Sequence, residues 1–306
     1  MTDERPLGER GADDTNEDLN GGPGPSEHDH YRLLSIAYRV RSTDARFTDA
    51  LRWHLAPFRR TGPDPQSISI TMRIREEDAE EDEPWYSFFI GYELRFRHRL
   101  LTEVLSHAIW DLHSIVPKWT KDFVLLHAGA VTSNGGAWLL PARMDSGKSS
   151  LVIALLELGF GYLSDEVGAI DPITGRAYPF EKRLTLDWTA LRLLPGLRER
   201  LADRPDLTRQ LAQTFLEPED LGTITMGPSP IQTLVFPAPV WDGPPNLVPI
   251  RRSEAVQLMA TNSFNLYRYG ERGVVLLSRI AAEAPAFRLE GGTPRQRAQI
   301  LAERLA

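Results

Sequence analysis

Apolar and polar residues fall into two distinct periods along this chain. Ser67-Ile68-Ser69-Ile70-Thr71-Met72-Arg73-Ile74 alternates with period two and predicts a half-buried strand. The aromatic and β-branched run from Trp85 to Phe96 predicts its pairing partner. Between them, Arg75 to Glu83 holds seven carboxylates without the glycine turns of a calcium loop and reads as a solvated hairpin tip. Leu100, Leu101, Val104, Leu105, Ala108, Ile109 and Leu112 then recur at helical spacing, predicting an amphipathic helix over 99–116 that Pro117 ends. After Asp122 the pattern becomes strand, turn, strand, loop, helix, strand. Phe123 to Val131 is a buried strand, Ser133-Asn134-Gly135-Gly136 a hairpin turn, and Ala137 to Leu140 a short apolar strand. Helical patterns cover about 187–202 and 205–216, a strand spans Ile231–Phe236, and a further helix opens at Ser253. Thr293-Pro294 starts the last helix, with Thr as cap and Pro in the first turn.

These elements divide the chain into three parts. Residues 1–28 are acidic and rich in Gly and Pro, with almost nothing to bury, and read as a disordered tail. Residues 29–119 form a small α+β N-terminal region, and residues 120–306 an α/β domain.

Composition narrows the function classes. The chain has 306 residues, 42% hydrophobic and 25% charged, as an ordinary globular protein has. Its net charge of −7 gives no bulk attraction to nucleic acid or to an anionic membrane, so neither is expected as a partner. The absence of cysteine removes disulfides, thiolate metal sites and cysteine nucleophiles, and fits a reducing compartment. No apolar run approaches a membrane span, and the acidic N-terminus does not read as a secretory signal, so the expected location is the cytoplasm.

The segment with chemical content is Ala142-Arg143-Met144-Asp145-Ser146-Gly147-Lys148-Ser149-Ser150. A phosphate loop reads Gly, four residues, then Gly-Lys-Ser/Thr; here Gly147-Lys148-Ser149 is in register and Ala142 replaces the first glycine. An apolar strand precedes it and the apolar helix Leu151 to Leu156 follows, so the backbone amides at that helix start would face a β-phosphate. Lys148 would neutralise the β- and γ-phosphates and Ser149 would ligate Mg²⁺. Ala142 fits only with a negative φ. Asp145 would repel phosphate unless it points outward, is offset by Arg143, or faces the acceptor. Downstream, Gly159 to Val167 reads as a strand ending in Asp165-Glu166. Phosphoryl transfer needs one carboxylate for Mg²⁺ and another for the acceptor proton, and these two could divide the roles. His127, in an apolar strand, reads alone as a hydrogen-bonded core residue.

Together, His127-Ala128-Gly129-Ala130-Val131, Ser146-Gly147-Lys148-Ser149-Ser150 and Tyr162-Leu163-Ser164-Asp165-Glu166 resemble the HPr kinase/phosphorylase family and its HPr-kinase-related serine kinases. The resemblance covers roughly residues 120–290. It implies the compact P-loop kinase core shared with phosphoenolpyruvate carboxykinases, with ATP and Mg²⁺ as cofactors. It also implies Asp165 as the catalytic acid that deprotonates an acceptor serine, and Glu166 where the family often has a second Asp. His127 then becomes a residue that positions the site or touches the acceptor. The family's second signature, a Gly-Leu-Gly-rich segment after a glutamate, has no counterpart here beyond the loose candidate Glu181. The implied acceptor is a Ser or Thr of a peptide or protein, and a homo-oligomer follows by analogy alone. Two other functions stay open: an ATP-binding scaffold or switch without phosphotransfer, and a kinase of a small-molecule hydroxyl.

Overall fold

The computed structural model describes residues 28–62, 64–65, 68–77, 84–186, 191, 194, 205–240 and 242–305. The tail expected over 1–28 lies outside them except for His28, as do most of the acidic run and nearly all of the helix expected over 187–202. The described residues are mixed α/β, built on two large sheets and one two-stranded ladder.

The first sheet has six strands: β1 (Asp29–Leu33), β2 (Ile36–Ser42), β3 (Arg59–Arg60), β4 (Ile68–Glu77), β5 (Trp85–Ile90) and β6 (Glu93–His98), in the order β3-β1-β2-β4-β5-β6. β2 and β4 run parallel and are joined across α1 (Ala45–His54); β4 and β5 are antiparallel. α2 (Leu101–Trp119) follows β6. α1 buries Phe47, Ala50, Leu51 and His54, a one-sided i, i+3, i+4, i+7 stripe that carries a histidine inward with the apolar residues. α1 and α2 share a core with β1, β2 and β5, and it continues unbroken into Leu125, Val167, Ala169, Phe180 and Phe215 of the following region.

The second sheet is formed by β7 (Val124–Ser133), β8 (Gly136–Pro141), β9 (Gly161–Ser164), β10 (Val167–Ile170), β11 (Ala177–Tyr178), β14 (Ile231–Pro237), β15 (Asn246–Pro249) and β16 (Ala286–Glu290). Its order is β11-β10-β7-β8-β14-β16-β15, with β9 paired beside β7. β8, β14 and β16 run parallel and the other pairings are antiparallel. Asn134 and Gly135, both with positive φ, close the β7–β8 hairpin as the sequence predicts. Helices cover both faces. α3 (Lys148–Leu156) and α7 (Pro294–Leu305) pack on one, and α5 (Arg252–Thr261) and α6 (Gly270–Glu283) on the other. No helix among the described residues is long and apolar enough to cross a membrane.

Three elements differ from the sequence expectation. The run from Trp85 to Phe96 is two strands, because Gly91 takes a φ of 59° and folds β6 back on β5. Pro117 lies inside α2, which runs on to Trp119: so near the end, proline forfeits only its own N–H bond, and Thr120 N still donates to the Val116 carbonyl at 3.0 Å. The expected helix over 205–216 is only α4 (Asp206–Arg209), followed by β13 (Thr214–Leu216). β13 pairs with β12 (Leu184–Leu186), and that ladder overrides the helical spacing of Leu207 and Leu211.

Candidate active site

Two adjacent residues of β7 hold the site together. The His127 carbonyl accepts from Ala142 N at 3.1 Å, and Ala128 N donates to the Glu166 carbonyl at 3.0 Å. The loop after β8 and the bend after β9 are thereby fastened side by side, although they are separate in sequence. Alternation along β7 sends Val124, Leu126, Ala128 and Ala130 into the core under α5 and α6, so His127, Gly129 and Val131 face α3. Only a residue without a side chain fits at Gly129, where an added Cβ would lie 2.7 Å from Val152 Cγ2 of α3.

In the loop, Ala142 is buried and is not among the residues with positive φ, which is the condition for an alanine there. Asp145 does take a positive φ, 59°, which aspartate tolerates better than most residues, and its side chain is exposed. Gly147, with φ 79°, is the α3 N-cap and supplies no side chain to the first-turn amides. Ser146 is buried with its Oγ unpartnered. Lys148 is 6% exposed and donates from Nζ to the Arg143 carbonyl at 2.6 Å. Ser149 is half-buried and Ser150 buried on the first turn of α3, while Arg143 and Met144 point to solvent.

The two acids directly follow the end of β9, in a bend that leads into β10. Ser164 Oγ makes the bend, accepting from Glu166 N at 3.2 Å and Val167 N at 3.0 Å. Asp165 is buried, and the Glu166 side chain is 42% exposed. Between them sits Lys182, itself 2% exposed, with Nζ 3.0 Å from Asp165 Oδ1 and 3.4 Å from Glu166 Oε2. The Tyr162 hydroxyl has two acceptors in reach, Asp165 Oδ1 at 3.1 Å and the Lys182 carbonyl at 2.9 Å.

The electrostatics of these groups follows from their burial and from one another. Burial pulls the Lys148 ammonium down to about 8, against the opposing pull of Glu166, Asp165 and Asp145. His127 is pushed down to about 4, first by burial and then by Lys148, and is a neutral imidazole at pH 7. Burial works against the Lys182 ammonium too, but Asp165 and Glu166 outweigh it and hold Lys182 above its ordinary value. Burial likewise works to raise the Glu166 carboxyl, and Lys182 and His113 bring it below the usual range.

Ser149, half-buried, and the part-exposed Glu166 are the oxygen donors that could hold a magnesium ion. No cluster of three metal-ligating His, Cys, Asp or Glu side chains exists among the described residues, so phosphate and water would complete the shell. Asp165 fits less well as a ligand, because Lys182 and Tyr162 engage its Oδ1. Glu181 feels burial, Glu219 and Arg60 rather than the acid pair; its neighbour Lys182 is the residue that reaches the acids.

Sequence reading misses Lys182, Tyr162 and the histidines behind them. His54 is fully buried with neither ring nitrogen hydrogen-bonded, and its ring centroid lies 5.4 Å from that of His113. His113, facing Glu166, Lys182, Asp165 and His54, is pushed down to about 4, chiefly by burial. An unfolded chain takes up this proton near pH 6.5, whereas the folded protein resists until about 4. Stability is therefore lost as pH falls through that window, by about 3 kcal/mol for His113. His113→Gln is expected to flatten the pH dependence of the denaturation free energy between pH 6.5 and 5, where most carboxylates stay ionised.

Compared with known proteins, the chain matches no family model and none of the curated sequences.

Proposed function

We propose that this chain is an ATP-dependent kinase that transfers the γ-phosphate to a Ser or Thr hydroxyl of a peptide or protein. It would be built on a P-loop kinase core of the HPr kinase and phosphoenolpyruvate carboxykinase type. The observation that carries the reading is the joint of His127 and Ala128, which sets a glycine-lysine loop beside a buried carboxylate. Lys148, the first-turn amides of α3 and the unpartnered Ser146 hydroxyl form a cationic, donor-rich cradle suited to phosphate oxygens. ATP with Mg²⁺ supplies the electrophilic phosphorus and neutralises the leaving diphosphate. Ser149 and Glu166 hold the metal's protein side. Asp165 takes the proton from the attacking hydroxyl, and neutral His127 lines the approach as a hydrogen-bonding group. A chain without cysteine suits a cytoplasmic setting for this activity.

One observation favours a second reading, an ATP-gated scaffold without phosphotransfer: Asp165 is buried and capped by Lys182, so its carboxylate is already engaged. γ-Labelled ATP and Mg²⁺ added to a dialysed host lysate decide between them. With the wild-type chain, the kinase reading expects a labelled, base-labile protein or peptide that is absent when the double variant Asp165→Asn, Lys182→Gln, shown to be folded, replaces it. No labelled species from either chain, with ATP binding shown for the wild type, would favour the scaffold.

A further inference from the structure

We propose that Lys182 is a resident cation for the acid pair, standing where a second divalent ion would otherwise stand. The site then takes one metal ion with its nucleotide, and Lys182 acts as the positioning residue for Asp165. The metal count with nucleotide rests on the kinase reading; the role of Lys182 toward the acids does not.

The ion-pair and hydrogen-bond partners of Lys182 Nζ are oxygen atoms. Asp165 Oδ1 lies at 3.0 Å and Glu166 Oε2 at 3.4 Å, and Nζ donates to the Arg183 carbonyl and to Thr185 Oγ1, each at 3.4 Å. Two carboxylates, a carbonyl and a hydroxyl are the donor set that hard divalent cations select. Here an ammonium fills it, and both Lys182 and Asp165 are 2% exposed. A carboxylate this deeply buried needs a fixed counter-charge, and a lysine supplies one that does not depend on metal concentration.

The lysine is also held from behind. The Tyr162 hydroxyl lies within donating reach of both the Lys182 carbonyl and Asp165 Oδ1, and its one proton serves either. The next residue, Arg183, donates from Nε to the Trp53 carbonyl at 2.7 Å, lies over the Trp53 ring at 3.7 Å and pairs with Glu217 at 2.5 Å. The Lys182-Arg183 pair is therefore a strut between α1 and the acid bend. With Oδ1 of Asp165 taken by Lys182, the half-exposed Glu166 and Ser149 are the better placed to receive an ion carried in with phosphate.

The test is Mn²⁺ binding to the full chain followed by electron paramagnetic resonance, in wild type and Lys182→Met, with and without a non-hydrolysable ATP analogue. Wild type is expected to bind no Mn²⁺ tightly without nucleotide and one ion with it. Lys182→Met, having lost the ammonium but kept the oxygens, is expected to gain one Mn²⁺ site without nucleotide. Its thermal midpoint is expected to rise on adding Mn²⁺, while the wild-type midpoint stays put. Folding of Lys182→Met only in the presence of Mn²⁺ is the same result in stronger form. A wild-type chain that binds Mn²⁺ tightly without nucleotide and loses it in Glu166→Gln overturns the proposal, as does a wild-type count of two ions with the analogue. A folded Lys182→Met that gains no site also overturns it. If Lys182→Met folds in neither condition, the wild-type count decides. Failure to bind the analogue at all removes the kinase reading instead, and leaves the nucleotide-free comparison standing.

Discussion

Asp165→Asn is expected to damage the fold as well as the reaction, and Lys182→Gln added to it is expected to restore the fold alone. The ion pair between Asp165 and Lys182 is closed to solvent at both ends. Neutralising Asp165 leaves Lys182 only its longer contact with the half-exposed Glu166, and neutralising Lys182 removes the cation from buried Asp165; losing the partner of a buried charge costs up to about 3–5 kcal/mol. Removing both charges leaves an amide pair that can still hydrogen-bond, a change that is nearly neutral in comparable buried pairs. On the kinase reading, losing the proton acceptor slows transfer by about 10²–10⁴-fold in either background. The single variant therefore confuses chemistry with stability, and the double variant separates them. Chemical denaturation of wild type, both single variants and the double variant gives the coupling energy, while phosphotransfer is read under conditions where each variant is folded. Recovery of both stability and transfer in the double variant would remove Asp165 from the proton-transfer role. A stability loss under about 1 kcal/mol in the single variant would contradict the sealed ion pair.

The reason this was not visible in the sequence is the reason Lys182 itself was not. A lysine after Tyr178-Pro179-Phe180-Glu181 reads as a solvated loop residue. It becomes a core residue only because Phe180 N bonds the Leu163 carbonyl at 2.8 Å and lays the segment beside β9. Such a contact has no local signature. His54 and His113 converge for the same kind of reason, one from the inward stripe of α1 and the other from α2, and no spacing in the chain links them. What was legible was contiguous. Ala137 to Leu140, Gly147-Lys148-Ser149 and Leu151 to Leu156 together produce a strand, a turn with positive φ at Gly147, and a helix buried on all sides. Asp165 and Glu166 were legible as neighbours, but their geometry was not. Ser164 turns the chain there, so one acid is buried and the other half-exposed. Where local pattern and distant pairing competed, as at Leu207 to Leu216, pairing prevailed.

Lys148→Met is expected to act in the opposite sense, leaving the fold intact or firmer while removing nucleotide binding. Lys148 is 6% exposed, and the Arg143 carbonyl to which its ammonium donates is neutral. Its pKa, lowered to about 8, shows that burial costs it more than Glu166, Asp165 and Asp145 return. Methionine fills a similar volume without that desolvation, so the denaturation midpoint should hold or rise. On the kinase reading the same change deletes the main cation facing the phosphates, and transfer should fall by about 10²–10³-fold or more. The thermal stabilisation that a bound ATP analogue confers on wild type should disappear as well. The lowered pKa adds a signature that a purely structural lysine would not give. Below pH 8 the free protein already carries the charge, so affinity should be flat. Above about 8 the free protein loses the proton while the phosphate-bound form retains it, and affinity should fall by up to about tenfold per pH unit. Calorimetry of the analogue in buffers of differing ionisation heat would record the matching proton uptake above pH 8. A flat affinity from pH 7 to 9.5 in wild type, or unchanged analogue binding in Lys148→Met, would place the phosphates elsewhere and take the catalytic reading of Asp165 with them.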